Sequence, residues 1–273
     1  MNEIIIEADR TEKNYWGDLW NYRELFLVLA WRDLSVRYKQ TIIGILWAII
    51  RPLFTMIVLT IIFGRLAKLP SDGNAPYALM VFAAMLPWTL FSNALSESSN
   101  SLIGNANLIS KVYFPRLIIP AATLVTALVD FLISFVILIT LMIYYQFMPD
   151  WQIILIPFFI ILALLASLGP GLWITALNVK YRDFRYIIPF IVQFGLYVSP
   201  VGFSSNVVPE KLRLLYSLNP MVGVIDGFRW CLLSGNSPIY LPGFLLSIAI
   251  IAFFLWLGIT RFRKMEKTFA DII

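Results

Sequence analysis

The sequence predicts an all-α polytopic membrane protein with six transmembrane helices, an N-terminal amphipathic interface helix and a re-entrant helix pair before the last span. Three observations support this fold class. Of the 273 residues, 60% are hydrophobic and only 14% are charged, a composition unlike that of a soluble domain. The apolar residues gather in runs long enough to cross a bilayer core of roughly 30 Å. A basic, amphipathic stretch precedes the first of these runs.

The interface helix is predicted over residues 22–40, after a polar cytoplasmic leader at residues 1–21. At 100° per residue, one face of this helix is apolar and consists of Leu27, Trp31, Leu34 and Tyr38. Basic residues surround the opposite face. A helix that combines Trp and Tyr with basic residues in this way is predicted to lie in the membrane surface.

The transmembrane domain is predicted over residues 41–262, followed by a cytoplasmic tail at residues 263–273. Its six apolar runs are separated by charged or turn-forming segments and cover residues 41–64, 77–96, 117–145, 152–177, 186–203 and 241–259. Residues 204–240 are too polar for an ordinary span and too apolar for an exposed loop. Two half-length helices opened by Pro209 and Pro220 predict a re-entrant pair in this segment.

The distribution of basic residues predicts an orientation. Most of the 21 Lys and Arg residues lie in one set of segments, namely residues 1–40, 97–116, 178–185 and the tail after Thr260. Cytoplasmic loops of membrane proteins carry an excess of such residues. Both termini are therefore predicted to be cytoplasmic.

Several catalytic classes are excluded by what the sequence lacks. It contains no histidine and a single cysteine, which removes the commonest general base and the usual transition-metal ligands. It also has no GxxxxGK[ST] phosphate loop, so the chain is not itself a conventional P-loop ATPase. We predict no catalytic residue, no metal site and no cofactor bound by this chain.

A few ionisable residues fall within the predicted membrane segments. They are Arg51, Asp130, Asp226 and Arg229. Charges at this depth usually face the protein interior or a wet cavity and pair with one another. Asp226 and Arg229 are three residues apart on a predicted helix, so we expect them to pair. Two interpretations of Arg51 remain open. Its side chain could extend to the lipid head groups, or it could line a polar path through the membrane.

Aromatic residues make up 15% of the chain, and interfacial belts and core packing account for most of them. A more specific alternative is that some of these aromatic residues bind sugar, because aromatic rings stack on the apolar faces of pyranose rings. The second and fifth predicted spans place aromatic residues at helical spacing, at Phe82, Trp88 and Phe91 and at Phe190, Phe194 and Tyr197.

Six segments resemble the type-2 ABC exporter permeases, specifically the branch that exports polysaccharide and lipopolysaccharide O-antigen. They read WRDLSVRYKQTIIGILWAIIRPL, FGRLAKLPSDG, LPWTLFSNAL, GNANLISKVYFPRLIIP, LNVKYRDFRYIIPF and LNPMVGVIDGFRW. The resemblance runs from about residue 22 to about residue 235, and the segments keep the order expected of that family. One position departs from the pattern, since Arg51 stands before Pro52 where a neutral polar residue such as Gln is common.

The resemblance implies a transport subunit of a bacterial inner-membrane exporter. Such permeases form a homodimer that pairs with two copies of a separate ATPase subunit, which binds the ATP and Mg²⁺. The expected cargo is a polysaccharide linked to undecaprenyl pyrophosphate, moved from the cytoplasm to the periplasm. The membrane and the lipid-linked glycan are thus the expected partners, and nucleic acid is not.

The resemblance also implies roles for individual residues. The interface helix corresponds to a gate helix whose cations meet the lipid pyrophosphate, here Arg32, Arg37 and Lys39. The loop after the second span carries the coupling helix that contacts the ATPase, with Asn105, Asn107, Leu108, Ser110 and Lys111. The re-entrant pair, which carries Asp226 and Arg229, corresponds to helices that narrow the periplasmic exit. Aromatic residues of spans one, two and five would line the channel, at Trp47, Phe54, Phe82, Trp88, Phe91, Phe190, Phe194 and Tyr197.

Other functions remain open from the sequence. Members of the same family could export teichoic acid or capsular polysaccharide. An ion-driven secondary transporter would need an inverted repeat and carboxylates near the midplane, and Asp130 alone is a poor candidate. An integral-membrane glycosyltransferase or lipid phosphatase would need paired acidic residues or a histidine at head-group level.

Overall fold

A computed structural model describes residues 15–39, 42–181, 183–233 and 239–269. Within these ranges every regular element is helical and no strand occurs, so the predicted all-α class is confirmed. Most of the predicted leader, the junction at residues 40–41, Arg182 and the end of the tail lie outside the described residues. So does Gly235, which in the sequence follows the second of the two half-length helices and is expected to end it.

The described chain forms the helices α1 to α11 in sequence order. Their bounds are Tyr15–Asn21, Arg23–Tyr38, Ile42–Leu59, Tyr77–Gly104, Ala106–Ile109, Ile118–Tyr144, Ile156–Lys180, Phe184–Val198, Glu210–Tyr216, Pro220–Leu232 and Leu241–Glu266. A π-helical segment, Thr60–Leu66, continues α3. Short 3₁₀ segments precede α7 at Trp151–Leu155 and α9 at Ser205–Val207.

Five helices of the described chain are long and apolar enough to cross a membrane: α3 with its π-helical segment, α4, α6, α7 with its 3₁₀ segment, and α11. The fifth predicted span corresponds to α8, which has only 15 residues. At 1.5 Å per residue α8 is about 22 Å long, shorter than the hydrocarbon core. The sixth crossing therefore stays a prediction.

Contacts show how far the segment around α8 extends along the bundle. At one end, the Asn178 side-chain amide donates to the Ser99 carbonyl at 3.0 Å. At the other end, the Tyr77 hydroxyl donates to the Gly202 carbonyl at 2.6 Å. Because Tyr77 and Ser99 lie near opposite ends of α4, Asn178 and Gly202 are separated by most of the length of that helix.

Helix α4 is the centre of the bundle, and its most apolar stretch is 83% buried. It packs against α6, α7 and α10, while α11 packs on the far side of α7. Small residues such as Ala83, Ala84 and Ala94 are fully buried along α4. Small side chains let helix backbones approach closely, which is the main source of packing between helices in a membrane.

The tightest helix crossing joins α7 and α11 through two glycines. A Cβ atom added at Gly258 would lie 2.1 Å from the Gly169 carbonyl oxygen, and one added at Gly169 would lie 2.6 Å from the Leu255 nitrogen. The obstructing atoms belong to the backbone, which cannot move aside as a flexible side chain can. Glycine at both positions therefore permits this crossing.

We expect Gly258→Ala to lower the free energy of unfolding by about 1–3 kcal/mol, because the added methyl group overpacks the crossing. Thermal denaturation of the purified protein in detergent measures this loss. Gly17→Ala is the matched control, since nothing lies within 4 Å of an added Cβ there. Equal melting temperatures for Gly258→Ala and the unmodified protein would contradict the proposed role of the crossing.

The two ends of the bundle carry different elements. The α5 end carries α1, α5 and the C-terminal part of α11, and a separate apolar cluster around Leu102, Ile109 and Phe262 packs there. The α9 end carries the loop between α3 and α4 together with α9 and α10. These two names are kept below.

At the α5 end, Glu266 ties α1 and the segment before α6 to α11. Its carboxylate accepts from the Tyr15 hydroxyl at 3.0 Å and from the Arg116 backbone N–H at 2.6 Å. The Arg263 guanidinium lies 4.6 Å from the centre of the Tyr15 ring. Burial, together with the Glu266 carboxylate, raises the pKa of Tyr15, so its hydroxyl stays a donor.

We expect Tyr15→Phe to lower the free energy of unfolding by about 1 kcal/mol, because one hydrogen bond to a carboxylate is lost while the ring remains. Faster hydrogen–deuterium exchange in α1 would report the loosened contact. Tyr22→Phe serves as the control, since the Tyr22 hydroxyl makes only an exposed 3.3 Å bond to the Tyr113 carbonyl. Equal exchange rates of α1 in the two variants would show that the hydrogen bond from Tyr15 to Glu266 does not hold α1 against the bundle.

Two predicted boundaries are wrong at the α5 end. Helix α4 continues to Gly104 instead of ending near residue 96, and the coupling helix expected around Asn105 to Lys111 is reduced to α5, Ala106–Ile109. Buried serines explain the first difference, because the Ser99 hydroxyl donates to the Leu95 carbonyl at 2.6 Å and Ser98 accepts from Thr175 of α7. Residues that look like a polar loop in the sequence thus continue the helix against α7.

Candidate functional site

Helix α2, the predicted gate helix, packs along α6. Near its start, the Tyr22 hydroxyl donates to the Tyr113 carbonyl at 3.3 Å, just before α6. At its end, the Tyr38 hydroxyl donates to Asp130, well inside α6. The predicted position in the membrane surface stays a prediction, and the structure shows a helix held against the bundle.

The side of α2 that packs on the bundle is not the side of Leu27 and Trp31. Leu27 and Trp31 are 62% and 73% exposed, whereas Leu29 and Ala30 are buried. The sequence predicted an apolar face towards the membrane and made no prediction about which side packs on the bundle. Ion pairs made by the other side of the helix turn that side towards the bundle instead, leaving Leu27 and Trp31 on the outer surface.

Arg37 forms these ion pairs. Its guanidinium donates to Glu97 of α4 and lies 2.5 Å from Asp130 Oδ2 of α6. The Asn93 side-chain amide also donates to Asp130, at 3.3 Å. Burial disfavours the charged form of Arg37, but the two carboxylates outweigh it and raise its pKa. We call Arg37, Tyr38, Asn93, Glu97 and Asp130 the Arg37 cluster.

The other two predicted gate cations face outward. The Arg32 guanidinium pairs at 2.7 Å with Asp33, its neighbour on the same helix. Lys39 is exposed at the end of α2, where its backbone N–H donates to the Ser35 carbonyl at 2.9 Å. Of the three predicted phosphate-binding cations, Arg37 alone therefore contacts α4 and α6 within the described structure.

The predicted coupling residues lie around α5. Asn107, Ser110 and Lys111 are exposed, and Asn105 and Leu108 are half-buried. Ile109 is only 3% exposed and anchors the segment in the apolar cluster of the α5 end. The outward face thus presents polar and basic groups on a firmly anchored turn, a shape suited to docking in a partner.

Five of the eight predicted channel aromatics are on the surface of the chain. They are Trp47, Phe54, Phe190, Phe194 and Tyr197, each about three-fifths exposed or slightly more. The rings of Phe190 and Phe194 stack with centroids 5.8 Å apart and planes 12° apart. We call these five residues the exposed aromatic set.

The prediction is wrong for the other three aromatics. Phe82, Trp88 and Phe91 are 1%, 5% and 9% exposed and belong to the main core. All three lie on α4, which other helices surround. The Trp88 ring fills the space beside Gly195 of α8, where an added Cβ would meet it at 2.6 Å. These residues hold helices together and do not line a surface of this chain.

The exposed aromatic set lies on two helices that converge at the α9 end. The π-helical segment after α3 meets the loop after α8 there, because the Phe63 and Phe203 rings lie with centroids 6.3 Å apart and planes tilted by 53°. Both α3 and α8 also pack on α4. Among the membrane-crossing helices of the described chain, α3 with its π-helical segment is the least buried, because 11% of its most apolar stretch is covered by other parts of the chain.

Arg229 is fully buried at the α9 end, and its predicted partner is wrong. Its guanidinium donates to the Phe203 and Val201 carbonyls at 2.9 and 3.2 Å, and its Nε lies 3.8 Å from Asp72 Oδ2. The Ser204 hydroxyl donates to the same carboxylate at 2.5 Å. Asp226, the expected partner, lines a small cavity beside Arg213 and Tyr216 instead.

Sequence reasoning missed four residues of these two networks: Asn93 and Glu97 on α4, and Asp72 and Ser204 in loops. One signal bears on the first network. Asp130 lies in an apolar helix and needs a cation, but the sequence does not indicate that this cation is Arg37, 93 positions away, or that Asn93 and Glu97 join it. Nothing in the sequence indicates that Asp72, 157 positions from Arg229, would turn inward.

Comparisons with known proteins agree with the resemblance. The family described as ABC-2 type transporter matches residues 24–233. The O-antigen export system permease protein RfbA of Myxococcus xanthus is 27% identical over 258 residues, covering 94% of this chain and 98% of the relative. The protein of the same name in Klebsiella pneumoniae is 27% identical over 260 residues, covering 92% and 95%.

A more distant relative is the polysialic acid transport protein KpsM of Escherichia coli. It is 22% identical over 251 residues, covering 86% of this chain and 91% of the relative. The family match itself extends from α2 to the end of α10 and includes the Arg37 cluster, α5 and Arg229. This chain belongs to the ABC-2 type transporter family.

Proposed function

We propose that this chain is the permease subunit of an ATP-driven exporter that moves lipid-linked polysaccharide, such as O-antigen on undecaprenyl pyrophosphate, from the cytoplasm to the periplasm. Its family and the names of its relatives support an exporter of polysaccharide. The observation that carries the proposal is the exposed aromatic set, a surface suited to stacking against sugar rings.

A second copy of the chain would complete the channel. Helices α3 and α8 leave broad apolar faces uncovered, while α4 is surrounded on all sides. A homodimer that joins the two protomers along α3 and α8 would enclose the exposed aromatic set between them. Several weak stacking contacts suit a sliding polymer, because a single tight site would stall it.

The energy source is a separate subunit in this proposal. Two copies of an ATPase bind ATP and Mg²⁺ and dock on the outward face of α5, through Asn105, Asn107, Leu108, Ser110 and Lys111. The basic residues around the α5 end favour a cytoplasmic position for this face and for both termini. The protein then lies in the bacterial inner membrane, with α8 and the loop after it as the sixth crossing.

The two remaining elements act at the mouths of the channel. Arg32, Arg37 and Lys39 on α2 bind the pyrophosphate, since guanidinium and ammonium groups form strong charge-assisted hydrogen bonds with phosphate. The re-entrant pair α9 and α10 narrows the periplasmic exit. Arg229 keeps that pair in place through the loop after α8, so its role is structural.

Two alternatives have different support. Capsular polysaccharide as cargo is favoured by the relative named a polysialic acid transport protein, although that protein is less similar than the O-antigen permeases. Teichoic acid would use the same residues. An ion-driven mechanism has no comparable support, because the chain belongs to a family of ABC transporters.

The double substitution Phe190→Leu and Phe194→Leu tests the proposal, since it keeps an apolar surface and removes the rings. In proteoliposomes that contain the permease, its ATPase and lipid-linked glycan, we expect export about fivefold slower or more, as about 1 kcal/mol of stacking is lost. Phe253→Leu is the control, because Phe253 is exposed on α11. Unchanged export in the double variant, or export without the ATPase, would contradict the proposal.

A further inference from the structure

The Arg37 cluster links α2 to two other helices through charge. Arg37 contacts Glu97 on α4 and Asp130 on α6, and Tyr38 adds a second donor to Asp130. The side chains of Arg37, Glu97 and Asp130 are 38%, 26% and 11% exposed, so the cluster is reachable from the surface. By contrast, Arg32 and Asp33 both belong to α2, so the ion pair between them does not join α2 to another helix.

The cluster already contains the kind of group that Arg37 is proposed to recognise. A carboxylate and a phosphate present the same paired oxygens to a guanidinium. Two carboxylates therefore occupy the donors of Arg37 that a pyrophosphate would use. Within the described part of the chain, these two carboxylates are paired with a single cation, Arg37, so the closed cluster disfavours an incoming anion.

We infer that Glu97 and Asp130 compete with an anionic pyrophosphate for Arg37, so that α2 leaves the bundle only as the head group of the lipid carrier replaces them. This inference rests on the proposed function, in which Arg37 contacts the lipid pyrophosphate. Glu97 and Asp130 are then positioning residues that touch no substrate. The bound anion shifts α2 because it binds the released helix better than the docked one.

Release of α2 has a cost that the anion must offset. Asp130 loses both Arg37 and Tyr38, and among the described residues it keeps the Asn93 side-chain amide at 3.3 Å. A partly buried carboxylate left with one neutral donor is unfavourable. A neutral lipid cannot compensate for this loss, whereas a pyrophosphate restores a counter-ion to Arg37. The cluster thereby favours a charged carrier over the neutral lipids that surround it.

The test measures binding of undecaprenyl pyrophosphate to the permease in lipid nanodiscs, together with hydrogen–deuterium exchange in α2. We expect Glu97→Gln and Asp130→Asn each to tighten binding about fivefold, as one competing ion pair is removed. Arg37→Gln weakens binding, and adding Glu97→Gln to it has no further effect. The lipid itself speeds exchange in α2 of the unmodified protein.

Two matched variants separate competition from general damage. Glu24→Gln removes an exposed carboxylate from the first turn of α2 without freeing Arg37, so the affinity is expected to stay unchanged. Glu97→Asp keeps the negative charge, so its affinity for the lipid is expected to be as low as that of the unmodified protein. Thermal denaturation of each variant confirms that it is folded.

Different failures have different meanings. If Arg37→Gln weakens binding but Glu97→Gln and Asp130→Asn leave it unchanged or weaken it, the competition is overturned and the proposed contact of Arg37 stands. If Arg37→Gln leaves binding unchanged, the proposed contact with pyrophosphate fails, and the competition fails with it. Equal effects of Glu24→Gln and Glu97→Gln would also overturn the inference, because the net charge of the protein would then explain both.

Discussion

Replacing Arg229 with methionine is expected to lower the free energy of unfolding by about 3–5 kcal/mol. The substitution keeps the volume of the side chain and removes its charge. Asp72 is then left buried with the Ser204 hydroxyl as the donor given by the structure, and the Phe203 and Val201 carbonyls lose theirs. Breaking a buried ion pair from one side costs more than the pair contributes, because the partner charge stays in an apolar environment.

Denaturation of purified protein in detergent, followed by helical circular dichroism, measures this loss. Arg213→Met is the matched control, since Arg213 also donates to backbone carbonyls, those of Val208 and Asn206 at 3.1 and 3.2 Å. That residue is only partly buried, so we expect a loss of about 1 kcal/mol.

The double variant Asp72→Asn with Arg229→Met separates charge from packing. We expect it to recover part of the stability lost in Arg229→Met, because no uncompensated carboxylate remains. A double variant that is less stable than Arg229→Met by the full effect of Asp72→Asn would show that the two residues act independently. In that case Arg229 stabilises the α9 end through its backbone contacts alone.

The membrane-crossing helices could largely be predicted from the sequence, because hydrocarbon leaves few choices to an apolar run. The residues at which these helices end could not be predicted in the same way. Polar residues at the end of α4 look like a loop in isolation, yet Ser98 and Ser99 are buried against α7, whose Thr175 hydroxyl and Asn178 amide donate to their backbone carbonyls. Whether a polar residue continues a helix depends on the neighbouring helix, and a single sequence does not say which helix that is.

The charged networks show the same limit more sharply. The spacing of Asp226 and Arg229 correctly indicates nearness, since residues three apart share a helix face. The Arg229 guanidinium instead forms an ion pair with Asp72, with 3.8 Å between its Nε and the carboxylate Oδ2. In the sequence, Asp130 stands alone as a carboxylate within an apolar helix. Its partners Arg37 and Asn93 come from two other helices, α2 and α4. Residue type predicts that a buried charge is paired, and only the fold shows with what.

The candidate aromatics divide for a related reason. Spacing on a helix places side chains on one face but does not say whether that face meets lipid, another helix or a channel. Phe190, Phe194 and Phe82 all satisfy the spacing, yet α4 is surrounded and α8 is not. The position of a helix in the bundle therefore decides between core packing and recognition.

Reversing the charge and polarity of the coupling face is expected to abolish ATP-driven export while leaving the fold intact. The double variant Asn107→Asp and Lys111→Glu changes two exposed side chains around α5. Surface substitutions of this kind alter stability by about 0.5 kcal/mol or less. If this face docks the ATPase, the repulsion it introduces should weaken the association at least tenfold, equivalent to about 1.4 kcal/mol.

Co-purification of the two subunits and export in proteoliposomes measure the two consequences of that variant. Lys211→Glu is the matched control, because it reverses an exposed charge on α9 at the opposite end of the bundle. Ile109→Asp gives the contrasting result, since it places a carboxylate in the apolar cluster that anchors α5. We expect Ile109→Asp to lose stability and export together, whereas the double variant loses export alone. If the double variant still binds the ATPase and exports glycan at the normal rate, the subunits meet elsewhere on the α5 end.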